Sequence, residues 1–161
     1  MLPIWSVNVA LRRNCERKHI ILLMCKIHVG LEMQDRIRIL VGYDDSLQSK
    51  KALNEAITIA KKFSGFIKVI SVYARGMLEK AETSVIEVKE TLKRGEVAYE
   101  VELVQGSNPA KILDTKAKEE NFDLIAIGSR GLGNTASMLL GSVSRQIVSN
   151  AQCNVLVVKS Q

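Results

Sequence analysis

A chain of 161 residues with 47% hydrophobic content is long enough to bury one full core and too short for two. Twenty-three basic residues outweigh seventeen acidic ones by six, but the excess is spread over Lys/Glu-rich stretches such as "EVKETLKRGE" and aromatics make up only 4%, so no nucleic-acid groove is expected. The three cysteines, Cys15, Cys25 and Cys153, give neither a disulfide framework nor a zinc spacing and fit a reducing cytoplasm.

Residues 1–32 differ from the rest of the chain. They hold the single Trp, two of the three Cys and both His, and Met33 then opens a cleanly patterned domain over 33–161. The apolar run "HIILLMCKIHVG" is broken by Lys26 and His28 and falls short of the roughly 20 residues of a membrane span. The internal block "RRNCERK" and the lack of a small-residue cleavage site argue against a secretory signal. The expectation is an N-terminal extension, disordered or a non-native leader; the alternative is an apolar arm that docks on a partner subunit or a membrane surface. His19 and His28 have no third ligand near them in sequence and read as incidental.

Beyond Met33, "RIRILVGY" (36–43) is a short apolar run ending in polar residues, the pattern of a parallel strand buried on both faces. A helix comes next, with Ser46 as N-cap, Leu53, Ile57, Ala60 and Phe63 at helical spacing, and Gly65 as its stop. "FIKVISVYA" (66–74) predicts a second strand, 77–95 a second helix, and "VAYEVELVQG" (97–106) a third strand whose alternating charge suits a sheet edge. Asn108 and Pro109 open a third helix as cap and first helical residue. "FDLIAIGS" is a fourth strand, Gly141–Asn150 a final helix and "CNVLVVK" a fifth strand. Strands alternating with helices predict an α/β fold, a three-layer α/β/α arrangement around a mostly parallel, five-stranded sheet.

In such a sheet ligands bind at the carboxyl ends of the strands, where strand order reverses. Two segments suit that place: "GYDDS" after the first strand, and "IGSRGLGNTASMLLGSVSRQIV" (127–148) at the end of the fourth. The second nearly spells a phosphate-binding P-loop, but Asn134 stands where the lysine is required, which disfavours a Walker-type NTPase. Gly128, Gly131 and Gly133 have the spacing G-x-x-G-x-G, which is not the dinucleotide fingerprint. What the segment does contain is G-x2-G-x9-G-S, from Gly128, Gly131, Gly141 and Ser142.

With this motif, the opening "ILVGYDDSLQSKKAL", the "QGSNPAKIL" before the third helix and the closing "CNVLVVK", the chain from Met33 to Gln161 resembles the universal stress protein family. The resemblance implies a Rossmann-like fold of the adenine nucleotide α-hydrolase type and a homodimer formed through the last strand, Asn154–Lys159. It also implies an ATP-binding regulatory protein of the stress response, with ADP or AMP as alternatives and a magnesium or manganese ion as possible companion. Carried over, Asp44 would read the adenine edge with Gly42 and Tyr43 packed nearby, and Val72 would line the adenine pocket. Gly128 and Gly131 would lie against ribose and proximal phosphates, while Gly141, Ser142 and the amide of Val143 would hold phosphate oxygens. Backbone N–H groups and the dipole at the start of the last helix suit such an anion. Arg130 is a further phosphate candidate or a solvated loop residue.

Two departures from the family pattern stand out: Asp45, where many relatives carry a small residue, and Asn154, in place of a proline common before the last strand. The domain after Met33 contains no histidine and its glycine loop no lysine, so little or no hydrolysis of ATP is expected. A nucleotide-dependent dimer in which residues 129–140 order and present Met138, Leu139 and Leu140 to an unknown protein partner is the leading expectation. A weak ATPase or nucleotide-processing enzyme, and a nucleotide-free dimerisation module, are the alternatives.

Overall fold

The computed structural model describes residues 20–23, 36–130 and 140–159. Its strands are β1 (Ile20–Leu23), β2 (Arg38–Gly42), β3 (Phe66–Tyr73), β4 (Ala98–Gln105), β5 (Leu124–Gly128) and β6 (Asn154–Val158). The helices are α1 (Leu47–Lys62), α2 (Leu78–Arg94), α3 (Pro109–Glu119) and α4 (Ser142–Asn150). The sheet order is β1-β6-β5-β2-β3-β4, with β2 to β6 mutually parallel. The expected five parallel strands are therefore all present.

Successive strand residues face opposite sides of the sheet, and both sides are covered. Ile39, Val41, Ile67, Val69, Leu124 and Ala126 pack with Ala52, Leu53, Ala56 and Ile57 of α1 and Val88 and Leu92 of α2. Leu40, Ile70, Ile125, Ile127, Val155 and Val157 pack with Ala110, Leu113 and Ala117 of α3 and Ile147 of α4. These two apolar clusters account for three layers from one alternating pattern.

The chain runs β2, β3, β4 outward in one direction, then crosses back to place β5 and β6 on the other side of β2. The reversal point is the β2/β5 boundary, which is where the two candidate segments end up.

Helix starts match the expected caps. Ser46 accepts from the Ser49 amide at 3.2 Å, and Asn108 accepts from the Lys111 amide at 3.1 Å with Pro109 at the first helical position. The end of α1 differs from expectation. The left-handed residue is Ser64, with φ of 51°, while a Cβ on Gly65 would lie 2.7 Å from the Ile37 carbonyl oxygen. Gly65 is thus required for close backbone packing under β2. Phe63, expected on the apolar face, is 56% exposed, with the Lys62 ammonium over its ring.

Two features lie at the sheet edges. β4 is an outer strand, as its alternating pattern predicts. Beside it Lys68 of β3, only 6% exposed in its side chain, is paired with Glu100, Glu102 and Glu120 at 3.2, 3.0 and 2.9 Å. At the other edge β1 pairs antiparallel with β6, Ile20 opposite Val158 through Leu23 opposite Val155. No strand is expected there from the sequence, and β1 occupies the β6 edge assigned to a second copy.

Candidate nucleotide-binding site

At the reversal point the carboxyl ends of β2 and β5 and the first turn of α4 enclose a cleft of about 310 Å³. That is the lower end of the range for small-molecule sites. Gly42, Tyr43, Asp44 and Val72 line it from the β2/β3 side, and Gly128, Arg130, Gly141, Ser142 and Val143 from the β5/α4 side. Nine of the ten candidate site residues named from the sequence thus line one cleft. The tenth, Gly131, lies outside the described residues, as do Met138 and Leu139.

Asp44 is held by the start of α1. Its Oδ1 accepts from the Ser46 hydroxyl at 2.6 Å and the Ser46 amide at 3.2 Å, and its amide lies 3.4 Å from the Ser49 hydroxyl oxygen. Ser46 caps the helix and Asp44 orients the cap. This anchoring fixes an exposed carboxylate at the mouth of an otherwise apolar wall made by Ile70, Val72 and Leu113. Asp45 is turned elsewhere. With φ of 65° it places its carboxylate 3.0 Å from Lys50 and 3.4 Å from the Tyr43 hydroxyl, so its charge is taken up outside the cleft lining. Burial, the largest influence on Tyr43, holds its hydroxyl well above the usual tyrosine range and therefore neutral.

The opposite wall is built from backbone. α4 starts at Gly141, whose lack of a side chain leaves the helix with no side-chain cap, unlike α1 and α3. Its first-turn residues Ser142, Val143 and Ser144, whose amides have no carbonyl partner within the helix, border the cleft. The Gly141 amide donates to the Ser129 carbonyl at 2.7 Å, and the Ser129 amide to the Val158 carbonyl at 2.7 Å, which ties the helix start to the ends of β5 and β6. Asp44 and Arg130 are the charged side chains among the described lining residues, and residues 131–139 contain no ionisable side chain.

Gly128 is required by α1 itself. A Cβ there would lie 2.6 Å from the Gln48 Cβ, 2.9 Å from its carbonyl carbon and 3.0 Å from the Ser49 nitrogen. Motif spacing assigns this glycine to ligand approach and gives no sign of the helix behind it. Nor does spacing single out Ser49, Ile70, Leu113 and Ser144, which also line the cleft. Leu113 is legible in principle, four residues after Pro109 on one helix face, and Ser144 three residues after the Gly141 cap.

Among the described residues no group of three His, Cys, Asp or Glu side chains is placed to hold a metal ion, and no helix is long and apolar enough to cross a membrane. Cys153, the free cysteine of the described residues, lies away from the cleft, and burial pushes its thiol up to about 11, which leaves it protonated and unreactive.

Comparison with known proteins gives the family and agrees with the fold. Residues 36–159 match the sequence model of the Universal stress protein family. Universal stress protein MJ0531 of Methanocaldococcus jannaschii is 30% identical over 139 residues, covering 76% of this chain and 81% of its own. A solved universal stress protein in complex with cAMP superposes with a TM-score of 0.67 at 27% identity, over 78% of this chain and 98% of that one. A universal stress protein family protein from Arabidopsis thaliana, At3g01520, solved with AMP bound, has a TM-score of 0.58 over 78% of this chain and 92% of that one. At 19% identity it speaks for the fold alone. The chain belongs to the universal stress protein family.

Proposed function

We propose that the chain binds an adenine nucleotide in the cleft between β2 and α4 and serves as a nucleotide-dependent regulator in a stress response, with little or no turnover. ATP is the preferred ligand in this reading, with ADP and AMP as alternatives. The observation that carries it is the pairing of opposites across one cleft: an anchored carboxylate above an apolar wall on one side, an uncapped helix start on the other. Asp44 suits the exocyclic amino group of adenine, and Ile70, Val72 and Leu113 suit its faces. The amides at Ser142 and Val143, with the helix dipole, suit phosphate oxygens, and the Arg130 guanidinium adds the one cationic side chain among the described lining residues. The relative solved with cAMP, at 27% identity, supports the adenine class.

The residues present also bear on a divalent ion. Asp44 is the one carboxylate among the described lining residues and belongs to the adenine side of the cleft. Magnesium or manganese would therefore be carried by the phosphates and not by the chain. The same shortage bears on catalysis: no described side chain next to the uncapped helix start is a general base for attack on a terminal phosphate.

Assembly belongs to the same reading. A second copy would pair along the outer edge of β6, and because β1 holds that edge within the chain, such a dimer forms only when β1 leaves it.

The test is to identify by mass spectrometry what the purified protein releases on denaturation, then to titrate the stripped protein calorimetrically with ATP and magnesium. Released ATP, ADP or AMP, with titration heat abolished by Gly141→Val, is the expected result. Absence of both ligand and heat at several temperatures would return the glycines to loop geometry and the protein to a nucleotide-free dimerisation module.

A further inference from the structure

We infer that Ser144 is a positioning residue for the phosphate end of the cleft: its hydroxyl occupies the Gly128 carbonyl oxygen at the end of β5, so that an incoming anion meets amides and not that carbonyl. The inference rests on the nucleotide reading above and assigns the third helical residue of α4 a role that involves no contact with the ligand.

The pairing of β5 with β2 stops at Val41 and Ala126, because β2 turns away at Gly42 into the segment that anchors Asp44. The end of β5 therefore projects past its neighbour with carbonyl oxygens that no β2 residue satisfies. These are the wrong groups beside a phosphate, since a carbonyl presents its negative end to an anion. Ser144 answers them. Its Oγ donates to the Gly128 carbonyl at 2.7 Å and lies 3.2 Å from the Ser129 carbonyl, which already accepts from the Gly141 amide at 2.7 Å. One hydroxyl proton serves the shorter contact, and Gly128 is the carbonyl that depends on it.

Ser144 is only 3% exposed, so water cannot readily replace its hydroxyl. Alanine at this position would leave the Gly128 oxygen unsatisfied at the edge of the cleft and loosen the first turn of α4, which would keep only the Gly141 amide bond to the Ser129 carbonyl. Both effects fall on the end of the site that faces phosphate. The adenine side, built on Asp44, Val72 and Leu113, is carried by β2, β3 and α3 and does not depend on this bond.

The experiment compares dissociation constants of adenosine, AMP and ATP with magnesium for the full chain, Ser144→Ala and Ser144→Thr, each checked by thermal unfolding. Ser144→Ala is expected to weaken AMP and ATP about tenfold, the loss of one buried hydrogen bond, and adenosine by less than about twofold. Threonine keeps the hydroxyl and restores the ratio. Equal losses for adenosine and ATP, or none, would overturn the positioning role. If Ser144→Ala does not fold, Ser144→Cys replaces it, with similar volume, a weaker donor and the same split expected. A wild-type chain that binds none of the three sinks the nucleotide reading itself, whereas a wild-type chain that binds while the variant keeps its ratio sinks the Ser144 role alone.

Discussion

Gly128 and Gly42 both line the cleft, and a side chain added at either would strike something different. A glycine is visible in a sequence; the atom it makes room for is not. Gly128 and Gly42 show the difference, since both lie at strand ends in the cleft and both crowd a helix. At Gly128 the obstacles include the backbone of Gln48 and Ser49 at the start of α1, which cannot rotate out of the way. At Gly42 they are the tips of side chains, Leu113 Cδ1 at 2.7 Å and Ile127 Cγ2 at 3.1 Å. Gly128→Ala is therefore expected to destabilise the fold by about 2 kcal/mol, in the range of overpacked sites, and Gly42→Ala by less than half of that. Urea unfolding of both variants checks the order; equal losses would mean that α1 yields as easily as a leucine rotamer. Asp45 shows the same limit of sequence reading. Its charge raises a question about the cleft that only its positive φ and the position of Lys50 answer.

The elements themselves are largely legible, because each strand and helix past Met33 carries its period and most carry their caps. What joins them is less so. Lys68 reads as one polar residue in an apolar strand, and its partners come from β4 and from the residue after α3, as many as 52 positions away. Burial disfavours the charge on Lys68, but the bonds to Glu120, Glu102 and Glu100 outweigh it and hold the ammonium above its ordinary range. For Glu102 burial likewise acts first and upward, and Lys68 and Lys116 overcome it; for Glu120 the bond to Lys68 dominates from the start. Both carboxyls end below their ordinary value of 4.5. A carboxyl lowered by folding contributes stability that is present above its unfolded value and is lost as pH falls through the folded one. Stability is thus expected to drop in acid below about 4.5 from these two groups. Lys68→Met should cost about 2 kcal/mol at neutral pH, less than the 3–5 of a fully buried pair because Glu102 and Glu120 keep partial access to water, and should flatten that acid slope without removing it, since Lys116 still lowers both carboxyls. Denaturant titrations of both proteins between pH 3 and 8 would measure it, and an unchanged slope in Lys68→Met would assign the acid sensitivity to other carboxylates.

At the scale of the whole molecule the two sheet edges are managed differently. β4 is blunted by charge, Glu100 and Glu102 beside Lys68, which discourages another strand from pairing there. β6 carries no comparable device: Val155, Leu156, Val157 and Val158 are all buried, and an apolar strand with a bare edge would invite pairing. In this chain β1 supplies that pairing with four residues and leaves a shorter edge behind it. The sequence shows β1 only as part of the apolar run "HIILLMCKIHVG", with nothing to say that its partner is β6 of the same chain. An antiparallel partner from the same chain and an antiparallel β6 from a second copy use the same backbone groups, so the two exclude each other. Strand N–H groups alternate between the two edges, so the double variant Ile21→Pro/Leu22→Pro removes whichever of the pair points at β6, and fixes φ where an extended strand is needed. Light scattering at micromolar concentration is expected to find the full chain monomeric and the double variant dimeric. A dimeric wild type with an unaltered variant would mean that β1 does not guard the edge. A monomeric variant at about 100 μM, far above the micromolar dissociation constant of even a modest interface, would remove β6 as an assembly surface.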